Sequence, residues 1–326
     1  MSSTNRKDPQ QIDPQYVARL REAVEQARQT LRNNHLKTEG LRLAHLLAYN
    51  IEQILVDHVQ ETASRLGVEH MADEVALIAV GGFGRLELEL YSDIDFVFVT
   101  EREPTEEEEE FIKAVIRPLF DLRLDLGYGV HPVKDVLGFL GSDVSKVTAL
   151  LAMRHVWGNE PLTEELQERL HVRLEKKFKK WFVDSLEEEI RERHTGHGDT
   201  VFLLEPDVKL SPGTLRDIHQ ILWIAFAFYG KLSLEVLVEN RILYGPGKAA
   251  NAGGVAVSGL EMAQNDQRMS WTREQVDEQL HNIMIDIHEN CRQTAEEFGT
   301  PGNYVNGANI AGFLKVADVM LDQGLI

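Results

Sequence analysis

Two acids one residue apart, in Ser92-Asp93-Ile94-Asp95, follow a glycine-rich turn, Gly81-Gly82-Phe83-Gly84-Arg85, after six intervening residues. The apolar run Val75 to Val80 leads into the glycines. Its shortness, its β-branching and the turn residues that close it predict a buried strand. Glycines at its end let backbone N–H groups come close to a phosphate. Ile94 to Val99 reads as a partner strand, and alternate side chains of a strand share a face, so Asp93 and Asp95 project together while Ile94 points to the core. At about 6–7 Å and an effective dielectric of about 20, two carboxylates repel by about 2–3 kcal/mol, and a divalent cation between them turns that into attraction. The chemistry implied is a metal site beside a phosphate cradle.

A third acid is supplied by the segment Leu122-Arg123-Leu124-Asp125-Leu126-Gly127-Tyr128-Gly129-Val130-His131. Leu122, Leu124 and Leu126 alternate with Arg123, Asp125 and Gly127, which predicts a strand with one apolar face and one face bearing a carboxylate. Placed beside the Asp93–Asp95 strand, Asp125 joins the same metals and helps deprotonate an attacking hydroxyl. The competing readings are an edge-strand Asp125 paired with Arg123 or solvated, and Asp121 in the same role.

These residues need a scaffold. The chain has 326 residues, 43% hydrophobic and 27% charged, enough for two domains with a sizeable core. A formal charge of -19 argues against nucleic acid as the main partner, since a phosphate backbone is held by clustered Lys and Arg. The single cysteine, Cys291, has no internal disulfide partner. The start Met1 to Asp8 has no apolar signal core, and the longest apolar candidate, Ile221 to Phe228, is too short to span a membrane. The expected location is the cytoplasm. Helical spacing runs from about Pro14 to Gly67, carried by Val17, Leu20, Val24, Ala27 and Leu31, then by Leu41, Leu43, Leu46, Leu47, Ile51, Ile54 and Leu55. His35, His45 and His58 read as packed or surface residues. Glu101 to Glu110 reads as a solvated helix start, with Thr105 and Glu108 forming a capping box.

The Gly-Gly-Phe-Gly-Arg turn, Glu87-Leu88 and Tyr91-Ser92-Asp93-Ile94-Asp95 resemble the nucleotidyltransferase domain of the DNA polymerase beta superfamily, in the form found in PII uridylyltransferases. A later block, Leu204-Glu205-Pro206-Asp207-Val208-Lys209-Leu210-Ser211-Pro212-Gly213-Thr214-Leu215-Arg216-Asp217-Ile218-His219 running into Trp223, resembles the second motif of that family. So does the stretch from Leu119 through Ala149-Leu150-Leu151-Ala152 and Arg154. Together they cover about residues 20 to 240. The resemblance implies two Mg2+ ions on Asp93, Asp95 and Asp125, with UTP as substrate and a tyrosine of a PII-type signal protein as acceptor. Gly81, Gly82 and Ser92 are then phosphate donors. Arg85 assists them or pairs with Glu87. Lys209 and Arg216 hold the triphosphate tail or base, against salt bridges of Lys209 with Glu205 and of Arg216 with Asp217. This chain departs from the family at Gly127-Tyr128-Gly129-Val130-His131, where Gly-His-Ser-Val-Arg is usual, at Leu86 for a glycine, and at Thr214 for a second glycine. His194-Thr195-Gly196-His197 reads as loop.

From about Tyr244 the pattern changes. Gly245 to Met262, Ser270 to Asp277 and Gly307 to Asp318 resemble the C-terminal part of NADP-type hexameric glutamate dehydrogenase. By that resemblance Ser258 matches a serine that binds the glutamate carboxylate, and Asn251 lies near the nicotinamide. The substrate-binding lysines, the catalytic acid and the Gly-x-Gly loop of that family are missing, so dehydrogenase activity is not expected, and a fused or rearranged gene is the simplest account. Thr272 and Gln275 form a capping box, and Val276, Leu280, Ile283, Met284, Ile287 and Cys291 form an apolar stripe at helical spacing. The His-Asp hydrolase and ligand-sensing domains of the uridylyltransferase family are expected to be absent.

The fold expected is α+β: a polymerase-beta-like core with a small mixed sheet, flanked by helical regions, plus a mostly helical tail. The expected segments are a helical 1–70, a nucleotidyltransferase core 71–160, a helical nucleotide-binding 161–243 and a dehydrogenase-like 244–326. The expected function is Mg-dependent transfer of UMP to a protein hydroxyl. Alternatives are a silent nucleotide-binding or partner-binding remnant, and an assembly role for the tail stripe.

Overall fold

The structure is a computed structural model that describes residues 14–34, 40–122, 124–197, 207–232, 235–240 and 245–323. The chain is α+β and divides into two compact units, residues 1–230 and 231–326.

In the first unit, α1 (Pro14–Asn34) and α2 (Gly40–Leu66) bury stripes at three- and four-residue spacing: Val17, Leu20, Val24, Ala27 and Leu31 on one, Leu43, Leu47, Ile51 and Leu55 on the other. Leu41 and Leu46, read from the sequence as part of that stripe, are exposed, because the face that turns to the core is the one through Leu43 and Ala44, Leu47 and Ala48. After α3 (Met71–Glu74), β1 (Val75–Ala79) runs into α4 (Gly81–Gly84), and β2 (Ile94–Thr100) returns beside β1. Next come α5 (Glu106–Phe120), β3 (Leu126–Pro132), α6 (Val133–Gly138), α7 (Val144–Leu150) and β4 (Arg154–Gly158). A long rod follows, made of α8 (Glu160–Arg173), a π-helical turn at Leu174–Phe178 and α9 (Lys179–Gly196); α10 (Leu215–Tyr229) closes the unit. Thr105 caps α5 in a capping box with Glu108.

The four strands are ordered β3-β2-β1-β4. β1 is antiparallel to β2 and to β4, with a bulge at Leu77/Ile78 against β4, while β2 and β3 are parallel. Both faces of the sheet are covered, which is why β1 is buried at all five positions. Leu77, Ala79, Phe96 and Phe98 pack toward α1, α2 and α5. Ala76, Ile78 and Val99 face the opposite way, toward α6 through α10. Asp95 shares the parity of Val97 and Val99 and therefore belongs to the α10 side.

Of the described residues from Leu122 to Leu126, only Leu126 belongs to a strand. Residues 121–122 form a turn, 124–125 are irregular, and β3 starts at Leu126. Arg123 lies outside the described residues. Gly127 and Gly129 weaken the apolar signal of the true strand, so the sequence pattern points upstream of it.

The second unit contains α11 (Glu235–Glu239), α12 (Gly247–Gln267), α13 (Arg273–Glu297) and α14 (Tyr304–Gln323). The capping box at Thr272 and Gln275 forms. The α13 stripe packs inside the unit: Met284 and Leu280 lie against Gly253 of α12, and Gly307 of α14 touches the Cys291 carbonyl. A cavity of about 250 Å³ lies between the start of α12 and Met284, Ile287 and Cys291 of α13.

Candidate functional site

The connection between β1 and β2 carries most of the candidate residues. Gly81 takes φ +57, a value that suits glycine. A Cβ there would lie 2.9 Å from Asp95 Oδ2, and a Cβ on Gly127 would collide with Asp95 Oδ1 and sit 3.2 Å from its Cγ. The Asp95 carboxylate is therefore cradled between two glycines, Gly81 at the start of α4 and Gly127 on β3. Gly84 lets the turn close against the backbone of Ala152. From behind, Arg154 on β4 donates to the Phe83 carbonyl at 3.2 Å and pairs with Glu52 of α2. The N–H groups of Gly81 and Gly82 open α4, where no intrahelical acceptor exists. Ser92 Oγ accepts from the Glu89 N–H at 2.9 Å, which leaves its own proton to donate.

Burial and the Asp93 charge push the Asp95 carboxyl up from the usual carboxylate range, while Lys209 and Arg85 oppose them. Asp93 thus acts on Asp95 electrostatically from the irregular residues just before β2, so the two acids are not alternate residues of one strand as the sequence suggested. Asp125 is placed beside them by the backbone: its carbonyl accepts from the Ile94 N–H at 2.9 Å, one step before the register pair Asp95 and Gly127. Its side chain is exposed. Among the described residues no three His, Cys, Asp or Glu side chains stand close enough to hold one ion. Asp121, the other acid weighed for this role, is exposed in the turn after α5.

The cations come from two sources. Arg85 Nε donates to Glu87 Oε2 at 2.7 Å, the ion pair that was one of its two readings. His219 Nε2 on α10 reaches the same oxygen at 3.2 Å. Burial alone would push the Glu87 carboxyl up, but the hydrogen bonds from His219 and Arg85 outweigh it and hold it at about 2. Arg216 does not pair with Asp217. Its guanidinium lies 5.4 Å from the Trp223 ring centre, and its Nε is buried without a hydrogen-bond partner among the described residues. Burial disfavours its charge and outweighs the favourable pull of Glu189, with Arg85 and Arg193 adding to the burial effect. Lys209 is exposed and acts on Asp95; Glu205, its alternative partner, lies outside the described residues, as do Leu204 and Pro206.

Asp217 belongs to a separate cluster that fixes the 207–214 loop. It accepts from Arg193, from His194 Nε2 at 3.1 Å and from the Gly213 N–H at 2.5 Å. Burial opposes ionisation of its carboxyl, yet these bonds pull it below the usual range. Arg193 also donates to Gln220 at 2.8 Å and to the Leu210 carbonyl at 2.9 Å. His194 is thus part of α9, correcting the loop reading; the Gly196 that suggested a loop ends the helix. Sequence reasoning gave His219, Arg193 and Arg154 no roles. The i, i+3, i+7 spacing of Arg216, His219 and Trp223 on one helix face was the available signal.

In the second unit Ser258 is exposed, with its hydroxyl 3.4 Å from the Gly254 carbonyl, and Asn251 is exposed too. No helix among the described residues is long and apolar enough to cross a membrane.

Comparison with known proteins finds two families along the chain, whose matches overlap at residues 225–249. The family described as GlnD PII-uridylyltransferase matches residues 182–249, and the Glutamate/Leucine/Phenylalanine/Valine dehydrogenase family matches residues 225–324. The bifunctional uridylyltransferase/uridylyl-removing enzyme of Novosphingobium aromaticivorans is 35% identical over 235 residues, which are 71% of this chain and 26% of that protein. The NADP-specific glutamate dehydrogenase of Haemophilus influenzae is 62% identical over 92 residues, 28% of this chain and 20% of that protein. Among solved structures, glutamate dehydrogenase 2 of Plasmodium falciparum is 54% identical over 28% of this chain and 20% of that one, with a TM-score of 0.28. The chain therefore joins a part similar to uridylyltransferases to a part similar to glutamate dehydrogenases, and it spans between a fifth and about a quarter of the length of these relatives.

Proposed function

We propose that the first unit is a nucleotidyltransferase with a polymerase-beta-like core, which transfers UMP from UTP to a tyrosine hydroxyl of a PII-type signal protein in the cytoplasm. The observation that carries this is the Asp95 carboxylate, held between Gly81 and Gly127 and within electrostatic reach of Asp93, Arg85 and Lys209. The similarity to the uridylyltransferase of Novosphingobium aromaticivorans supports it.

The chemistry of the donors suits a divalent cation, since Asp93 and Asp95 offer hard carboxylate oxygens and the Asp93 charge raises the Asp95 carboxyl, a repulsion that a cation would relieve. Asp93, Asp95 and Asp125 would hold two Mg2+ ions. When bound, these would neutralise phosphate charge and favour ionisation of the attacking hydroxyl. Arg85, Lys209 and Arg216 bind the triphosphate tail, and the Gly81 and Gly82 N–H groups with the Ser92 hydroxyl donate to its oxygens. Asp125, exposed just before β3, is open to the acceptor hydroxyl and takes its proton.

The test is Mg-dependent incorporation of label from α-labelled UTP into a purified PII protein. Wild type should label PII, and Asp93→Asn should lose at least about 100-fold. No transfer by the intact chain at saturating UTP overturns the reading. The second reading, a silent nucleotide-binding remnant, is favoured by His131, whose Nε2 occupies the space where a Gly129 side chain would stand. UTP binding by calorimetry without turnover would establish it.

A further inference from the structure

Glu87 and His219 are 132 residues apart in sequence, and among the described residues their contact is the hydrogen bond that joins the loop after the glycine turn to α10. Glu87 Oε2 takes two donors, Arg85 Nε at 2.7 Å and His219 Nε2 at 3.2 Å. An ionised carboxylate only accepts, so His219 carries its proton on Nε2. Trp223, a core residue 2% exposed, is the floor on which α10 presents its polar groups. The His219 ring centre lies 5.9 Å from the Trp223 ring, and the Arg216 guanidinium 5.4 Å from it.

Two guanidiniums are thus kept near each other against their mutual repulsion. Arg85 is neutralised by Glu87. Arg216 has no ion pair among the described residues, and its buried Nε has no acceptor. A half-buried cation whose Nε has no acceptor, with Glu189 acting on it only through space and two further guanidiniums repelling it, is suited to an anion.

We infer that Glu87 and His219 are positioning residues, which hold Arg85 and Arg216 side by side as a receptor for the phosphate tail of the nucleotide. This rests on the nucleotidyltransferase reading above. The strut touches no reacting atom, so its loss weakens tail binding and leaves the step at Asp93 and Asp95 intact.

Expected for His219→Ala is a UTP KM raised about 10-fold or more, the size of one charge-assisted hydrogen bond, with kcat within about threefold of wild type. His219→Gln keeps an N–H donor and should restore most of the KM. Glu87→Gln, a second route to the same break, should show the same KM and kcat split. In calorimetry with Mg2+, His219→Ala should weaken UTP binding while leaving UMP binding unchanged. Unchanged KM in both variants, a parallel fall of kcat, or no rescue by glutamine overturns the positioning role. If wild type neither binds nor transfers any nucleotide, the underlying reading fails as well; if wild type is active and the variants match it, only this inference falls.

Discussion

Gly127→Ala and Gly158→Ala make the same chemical change at two sites where the added methyl collides with an oxygen, and the structure predicts opposite outcomes. At Gly127 the obstacle is the Asp95 carboxylate, a side chain that can rotate. Moving it off its rotamer costs about 0.5–1.5 kcal/mol, and replacing a glycine at compatible φ returns about 0.4–1 kcal/mol through the unfolded chain. The net change is within about 1 kcal/mol of zero. At Gly158 the obstacle is the Val75 carbonyl in the central strand, with the Val75 carbonyl carbon at 3.1 Å and φ at +89. Left-handed backbone costs an alanine about 1–2 kcal/mol, and overpacking adds about 1–3 kcal/mol, so the loss is about 2–5 kcal/mol. Urea unfolding followed by tryptophan fluorescence reads the first unit, which holds Trp157, Trp181 and Trp223, three of the four tryptophans. Nucleotide transfer by Gly127→Ala should fall sharply despite its near-native stability, because Asp95 no longer sits where it did. Equal destabilisation of the two variants would refute the cradle.

Glu87, with an unfolded value of 4.5 and a folded value of about 2, contributes stability above pH 4.5 that is lost as pH falls toward 2. The shift caps this at about 3 kcal/mol, and since the side chain is 34% exposed, screening reduces it to about 1–2 kcal/mol. Glu87→Gln should cost that much at pH 7 and converge with wild type near pH 2 in urea titrations. Buried His58 accepts from the Tyr16 hydroxyl at 2.5 Å and donates to the Val115 carbonyl at 2.7 Å. Burial lowers its pKa, so it is neutral in the fold, and stability must fall as pH drops below about 6.5. His58→Phe should remove that acid sensitivity between pH 7 and 5 while costing about 1–3 kcal/mol at neutral pH, seen by thermal melts. Arg268, exposed and left-handed with φ 55 at the end of α12, should accept glycine with a gain of about 0.5–1 kcal/mol in the second unit's unfolding.

Much of this was legible in the sequence because local physics sets it. Val75 to Ala79 and Ile94 to Thr100 are apolar enough to be strands whatever surrounds them, and both capping boxes obey spacing alone. Leu86, flagged because a glycine is usual there, takes φ 62, so the backbone demands what the family supplies and this chain lacks. Other features depend on partners distant in the chain. β4 is short, only half-buried along most of its length, and exists by pairing with β1. The partner of Asp217 is Arg193 and not its neighbour Arg216, because helical geometry points adjacent residues apart. The candidate acids were legible by type and spacing, whereas the glycine on a second strand that makes room for Asp95 appears only once β2 and β3 are laid side by side.

The connection from Val80 to Asp93 is the loop of an antiparallel pair, so its shape is slaved to which rung of β1 faces which rung of β2. Val75 opposite Thr100 and Ala79 opposite Phe96 fix that ladder. A slip of a single rung would turn Asp95 toward the α2 side and send Phe96 toward α10. The two buried faces forbid that slip, because phenylalanine and carboxylate cannot trade places in a packed interior. The hydrophobic layers therefore act as an alignment gauge for the acids, and a core substitution far from the loop, such as one at Phe98, is able to silence the site by loosening the ladder without touching a polar atom.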